Sequence, residues 1–295
     1  MNGPVIQMKE KVFLVTGGTS GVGKATATGL AKLGAKVVII SRDAQRGQQA
    51  LDQLAQDTGN DRGEYLVADL SLQSSIKQVS EEFKRRYENL HVLANLAGAV
   101  YFEEQLTSEG IERTFAVNYL SHFMLTNQLL DILKASRPSR VITVAGAPRF
   151  LKGAKINFED VQSRKHFSGL RATSNAMFDR VIFAFALARR LEGTGVTSNV
   201  FHPGTVRSNL LVTPQNVPLL LKLMTPFFDR SAKETCDIAV YLATAQEVEK
   251  VSGVFFDDHM QQVPSLLKKY DEILGNKLWS VSDELITSQT TAVLP

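Results

Sequence analysis

Apolar positions along the chain follow two alternating rhythms. Short β-branched runs at Val12–Val15, Lys36–Ile40, Tyr65–Val67, Val92–Leu93, Val141–Val144 and Val196–Val200 are separated by longer stretches with apolar residues at helical spacing. Near-continuous apolar runs belong to strands covered on both faces, so the alternation predicts βαβ units and a doubly wound parallel sheet of about seven strands. The seventh strand is expected at Val254–Phe256, followed by helical patterning around Leu266–Leu274, and residues 288–295 read as a loose tail. No linker-like composition or fixed-period repeat breaks the pattern, which makes residues 1–295 one α/β domain.

One segment departs from this rhythm. Between Ser208 and Arg230 the chain crowds Leu210, Leu211, Leu219, Leu220, Leu221, Leu223, Phe227 and Phe228 around Pro214, Pro218 and Pro226. Following a late strand, it reads either as an apolar lid over the carboxyl ends of the sheet or as a helical hairpin packed on the core or a partner subunit. Peripheral contact with a membrane is a third reading, weakened by the scarcity of basic residues.

Composition narrows the class. The 295 residues carry 33 Lys plus Arg against 30 Asp plus Glu, a net charge of +3 with no long basic run, so no nucleic-acid partner is expected. The lone thiol, Cys236, excludes an internal disulfide and a cysteine-based zinc site, and no ligand-spaced histidines suggest another metal. A reducing, cytoplasmic setting is expected. Met1–Glu10 has no signal core, and no apolar run approaches the ~20 residues of a membrane span.

Candidate chemistry begins directly after the first strand, at Thr16-Gly17-Gly18-Thr19-Ser20-Gly21-Val22-Gly23. Glycines there let the backbone approach a pyrophosphate, and the N-terminus of the following helix supplies free N–H groups and a positive dipole end. Strand before and helix after make this a Rossmann reading. At the end of the second strand, Ser41 and Arg42 offer a hydroxyl and a guanidinium suited to a ribose 2′-phosphate, which favours NADP(H) over NAD(H); Asp43 beside them pulls the other way.

Together with Ala68-Asp69-Leu70, Asn95-Leu96-Ala97-Gly98, Asn118 within Phe115-Ala116-Val117-Asn118-Tyr119-Leu120, and His202-Pro203-Gly204, the glycine motif resembles the short-chain dehydrogenase/reductase family. Val117–Phe123 and Arg190–Thr197 resemble its retinol-dehydrogenase-like branch, and the likeness spans roughly residues 9 to 286. It implies that Asp69 and Leu70 serve the adenine. Asn95, Ala97 and Gly98 would serve the adenosine ribose, although the family's second Asn is Leu96 here. Pro203, Gly204 and Val206 would hold the nicotinamide end.

The same resemblance exposes a loss. The family's alcohol and ketone chemistry uses a Tyr-x-x-x-Lys pair on the helix after the fifth strand and a Ser at that strand's end. Those positions fall on Thr173, Met177 and Gly146, and no tyrosine lies between Tyr119 and Tyr241 to take over. Only Asn118 survives, and its family role is to hold a water that connects to the missing Lys. Thr173 is a poor acid or base, and Met177 puts polarizable apolar surface where the family has a charge. Arg180, seven residues past Thr173, returns to nearly the same helix face, as a functional cation or as half of a salt bridge at a subunit contact. Tyr101 and Arg149 stand where family members line the substrate pocket, with plain surface residues as the alternative.

The expected function is an atypical enzyme of this family acting on a small, largely apolar, biosynthetic molecule. Its step would be either hydride transfer to an acceptor needing no protein proton or a redox-neutral cyclisation or isomerisation. A catalytically silent NADP(H)-binding sensor comes second, and an ordinary alcohol or ketone oxidoreductase third. The apolar helix Phe178–Leu191 would, by resemblance, pair with its copy in a homodimer or homotetramer, with a monomer covered by its C-terminal segment as the alternative.

Overall fold

A computed structural model describes residues 8–204, 237–268 and 270–290. In chain order the elements are β1 (Val12–Thr16), α1 (Gly21–Lys32), β2 (Lys36–Ser41), α2 (Ala44–Thr58), β3 (Glu64–Val67), α3 (Gln73–Arg86), β4 (Val92–Asn95) and α4 (Arg113–Phe115). A π-helical turn, Ala116–Leu120, leads into α5 (Ser121–Gln128) and α6 (Leu130–Ala135), then β5 (Ser139–Val144), α7 (Gly169–Arg190) and β6 (Val196–Phe201). The chain continues with α8 (Asp237–Thr244), β7 (Phe255–Phe256), α9 (Pro264–Leu267) and α10 (Glu272–Thr290).

All seven strands pair in parallel in the order β3-β2-β1-β4-β5-β6-β7. The six early apolar runs each lie inside an observed strand, and the seventh begins one residue later than expected. Because successive strand residues point to opposite faces, Phe13, Val15, Val37 and Ile39 pack under α1 and α8 with Leu30 and Leu242, while Leu14, Val38, Ile40 and Val141 face Phe83, Phe123 and Phe183. The crossover direction reverses between β1 and β4. At such a switch point the carboxyl edge of a doubly wound sheet opens a crevice for ligands.

Two expectations near the C-terminus are corrected. The patterning at Leu266–Leu274 is two helices: α9 ends at Leu267, and Asp271 accepts the Leu274 N–H at 2.6 Å, capping a new helix. That helix, α10, runs through Ser288–Thr290, so the tail expected to be loose begins as helix. Residues 291–295, the apolar segment 208–230 and Val206 lie outside the described residues.

α10 lies on α7. Trp279 stacks near Phe123 and Phe183, at 5.0 and 5.6 Å between ring centroids, and Tyr270 meets Phe185 edge-on at 5.8 Å. Gly275 permits this approach, since a Cβ there would stand 2.7 Å from the Tyr270 ring and 3.2 Å from Ala186. The apolar face of α7 that sequence reading offered to a second copy is covered by the chain's own C-terminal helix. Among the described residues no helix is long and apolar enough to cross a membrane.

Candidate active site

The glycine loop is shaped by what each glycine must avoid. Gly17 and Gly21 take φ of +69° and +53°, where a side chain is strained. A Cβ on Gly23 would lie 2.2 Å from the Gly17 carbonyl oxygen, so the loop folds tightly over the first turn of α1. Ser20 occupies the N-cap in an extended conformation without a side-chain cap, and no acidic residue sits in the first turn. The positive end of α1 is therefore not neutralised locally, and Thr19, Ser20, Gly21 and Val22 form a loop that fits a pyrophosphate. Sequence reading passed over one residue here: Thr16 Oγ1 accepts the N–H groups of Leu96 and Ala97, both at 2.9 Å, and ties β1 to β4 across the switch point. Its only signal was its place ahead of Gly17.

The groups on the adenosine side lie at the ends of β2, β3 and β4. Asp43 is taken up by α2, its carboxylate accepting Arg46 N–H at 2.8 Å, while Arg42 remains exposed. Ser41 Oγ donates to the Asp43 carbonyl at 2.8 Å. After β3, Asp69 accepts from the backbone and hydroxyl of Ser71 at 2.8 and 2.7 Å, and Leu70 is buried beside it. Asn95 is fully buried, its Nδ2 donating to Thr126 Oγ1 at 2.9 Å. Its Oδ1 has no partner among the described residues. On the far side Pro203 is buried, and Gly204 turns at φ +83° where a Cβ would stand 2.9 Å from Asp258 Oδ2.

The three positions that the resemblance sets against the family's acid–base residues, Thr173, Met177 and Gly146, lie on α7 and just past β5. Thr173 is 1% exposed and its Oγ1 has no hydrogen-bond partner among the described residues. A Cβ on Gly146 would lie 3.1 Å from Met177 Sδ and 3.0 Å from Phe150 Cδ1, so the methionine and phenylalanine fill the space a strand-end side chain would need. Gly169 opens α7 against the preceding loop; a Cβ there would lie 2.0 Å from the Tyr101 carbonyl oxygen. Tyr101 is partly buried, with the Arg113 guanidinium 5.0 Å from its ring centroid. Arg149 is exposed, and burial together with that charge holds His202 below the ordinary imidazole range.

Arg180 is the chief correction. It makes no salt bridge with any described carboxylate. Instead the guanidinium is 1% exposed and donates Nη1 to the Val144 carbonyl at 3.1 Å and Nη2 to the Ala97 carbonyl and Asn118 Oδ1, both at 3.0 Å. Its Nε donates to the Asn118 carbonyl. Asn118, which the resemblance assigns to holding a water, is thus bonded at both its carbonyl and its side-chain oxygen by a cation of the chain. Asn118 is further zipped to Ala99, accepting its N–H at 3.0 Å and donating to its carbonyl at 2.7 Å, from a π-helical turn of the kind found at functional sites.

The electrostatics around Arg180 are one-sided. Burial draws the guanidinium down to about 9, which leaves it charged at neutral pH. Burial holds the Asp179 carboxyl well above its usual range, which favours its uncharged form. Burial, with Arg180 adding repulsion, holds His122 well below the ordinary imidazole range; its Nε2 donates to the Ala97 carbonyl at 2.9 Å and its Nδ1 lacks a partner among the described residues. No cluster of metal-ligating side chains occurs among the described residues.

Comparison with known proteins identifies the family. A family model for short chain dehydrogenases matches residues 11–158. Retinol dehydrogenase 14 of Mus musculus is 38% identical over 293 residues, covering 95% of this chain and 86% of that protein. Polyprenol dehydrogenase of Homo sapiens is 35% identical over 283 residues, covering 94% and 85%. Among solved structures, a short chain dehydrogenase from Burkholderia cenocepacia in complex with NADP shares the fold, with a TM-score of 0.67 at 20% identity over 85% of this chain and 97% of that one. The chain belongs to the short-chain dehydrogenase/reductase family, a family of NAD(P)-dependent oxidoreductases. Its relatives include retinol dehydrogenases.

Proposed function

We propose that this family member binds NADP(H) in preference to NAD(H) and acts on a small, largely apolar substrate by hydride transfer that draws no proton from a Tyr–Lys pair. When bound, NADPH supplies the hydride. Gly17, Gly21, Gly23 and the N-terminus of α1 hold the pyrophosphate, Arg42 meets the 2′-phosphate, Asp69 and Leu70 frame the adenine, and Pro203 and Gly204 close the nicotinamide end. The suitable acceptor is an iminium or an activated conjugated system, whose π electrons withdraw onto a heteroatom or along the conjugation as the hydride arrives.

The observation that carries this reading is the packing of Met177 against Gly146 beside the buried Thr173 hydroxyl: none of these three described residues is tunable as an acid or base near neutrality. The NADP complex of the Burkholderia cenocepacia dehydrogenase supports the cofactor, and relatives named for retinol and polyprenol support an apolar substrate. The test is an NADPH oxidation assay over matched imine and ketone panels. Turnover of imines or conjugated acceptors with slow ketone reduction is expected, and efficient turnover of simple ketones would overturn the reading.

A second reading, a silent NADP(H)-binding sensor, is favoured by Arg180, which bonds both oxygens of Asn118, the residue that the resemblance assigns to holding a water. It predicts nucleotide binding with no acceptor consuming NADPH. Nothing in the site favours redox-neutral cyclisation over either.

A further inference from the structure

We infer that Arg180 sets the redox preference of the nucleotide site, favouring the reduced nicotinamide, whose ring is neutral, over the oxidised form, whose ring is cationic. The inference rests on the proposed reading that NADP(H) occupies the crevice at the carboxyl edge of the sheet.

Three observations carry it. First, the guanidinium borders the carboxyl edge of the sheet: its acceptors are Ala97, just past β4, Val144 at the end of β5, and Asn118. These lie beside the β1/β4 switch point, and a Cβ on Gly98, a residue of the cradle, would stand 3.3 Å from Nη2. Second, the charge is not cancelled. No described carboxylate lies within ion-pair distance; burial favours the uncharged carboxyl of the adjacent Asp179, and His122, which donates to the same Ala97 carbonyl, is held below the ordinary imidazole range. Third, the charge is buried: Arg180 is 1% exposed against the carbonyls of Ala97, Val144 and Asn118, where water and salt screen little. A buried arginine ordinarily keeps a carboxylate partner. Its acceptors here are carbonyl dipoles, which satisfy its donors but leave the net positive charge.

A cation fixed in the wall of a ligand crevice repels a second cation and is indifferent to a neutral ring. At the effective dielectric of about 20 that describes protein interiors, a unit charge within ~10 Å changes relative affinity by on the order of tenfold. The effect needs no direct contact, so the full use of Nε and Nη2 by the protein does not weaken it. A purely structural arginine would, on removal, weaken both nucleotide forms alike; an electrostatic one changes their ratio.

The experiment measures NADPH and NADP⁺ dissociation constants by titration calorimetry for the full-length protein, Arg180→Lys, Arg180→Gln and Arg180→Met. The unmodified protein is expected to bind NADPH about tenfold or more tighter than NADP⁺. Arg180→Lys should keep that ratio, while Arg180→Gln and the apolar Arg180→Met should narrow it by about tenfold, mainly through tighter NADP⁺ binding. Equal affinities in the unmodified protein overturn the inference even if neither neutral variant folds. A ratio unchanged in a folded neutral variant overturns it as well and leaves the nucleotide reading standing. Binding of neither nucleotide defeats the nucleotide reading itself, and the inference with it.

Discussion

The hydroxyls of Tyr119 and Ser282 meet at 2.7 Å inside the protein although 163 residues separate them in the chain. Ser282 Oγ donates onward to the Leu278 carbonyl at 2.7 Å, so the tyrosine is the donor of the pair. This bond fastens α10 to the π-helical turn that carries Asn118. The C-terminal helix therefore braces the candidate site from behind, next to Trp279 and Phe183.

Loss of that brace has a measurable cost. Tyr119→Phe removes one buried hydroxyl pair and should destabilise by about 1 kcal/mol, whereas Trp279→Ala removes ring contacts to Phe123 and Phe183 and should cost about 2–4 kcal/mol. Urea unfolding of both variants checks the order. A Trp279→Ala cost below that of Tyr119→Phe would show that α10 is held by polar contacts and not by its rings.

Gly23→Ala tests the cradle. The new methyl would meet the Gly17 carbonyl at 2.2 Å, forcing the loop off the first turn of α1. NADPH affinity should fall by about a hundredfold or more, of order 3 kcal/mol of binding. Titration by nucleotide fluorescence reads the loss, and near-normal affinity would place the pyrophosphate elsewhere.

Arg42→Ala separates the two nucleotides. With Asp43 occupied as the cap of α2, the exposed Arg42 is the charge available to a 2′-phosphate. Its removal should weaken NADPH by about tenfold to a hundredfold, the worth of one to two charge-assisted hydrogen bonds, and leave NADH almost unchanged. Equal losses for both nucleotides would remove the basis for NADP(H) preference.

Acid should destabilise the fold through its neutral histidines. Burial, with Lys11 adding repulsion, lowers His91 to about 4, and its Nδ1 accepts the Val12 N–H at 3.2 Å, which requires the neutral ring. An unfolded imidazole titrates near 6.5, so below about that pH the unfolded chain binds more protons and stability falls as pH drops toward 4. His122, also depressed, contributes with the same sign. Urea midpoints should be flat from about pH 8 to 7 and decline toward pH 5, with a shallower decline in His91→Asn. A midpoint that rises on acidification would contradict this.

The strands were legible because a strand buried on both faces must be apolar at nearly every position, and the runs at Val12–Val15 and Lys36–Ile40 are. The glycine loop was legible because tight turning and close approach need glycine whatever surrounds them. The role of Arg180 was not. A seven-residue interval fixes the helix face from which a side chain departs, but not where four rotatable bonds carry its guanidinium, nor that the carbonyls of Ala97, Asn118 and Val144 await it. The fit of Met177 over Gly146 is likewise non-local, and only the register of β5 against α7 brings the two together. Asp271 was missed as a helix start because the patterning around it reads continuously from Leu266 to Leu274.

The central claim is that the nucleotide cradle is kept while the acid–base machinery is gone. The most direct test compares the unmodified protein with Gly146→Ser/Thr173→Tyr/Met177→Lys, in which replacing the methionine relieves one of the two close contacts at position 146, the Phe150 ring being the other. NADPH binding and NADPH-dependent ketone reduction are measured on both. The account predicts that both bind NADPH and that the triple variant reduces ketones at least about a hundredfold faster, the contribution expected of general acid–base groups acting together. Equal ketone reduction by the unmodified protein would contradict it.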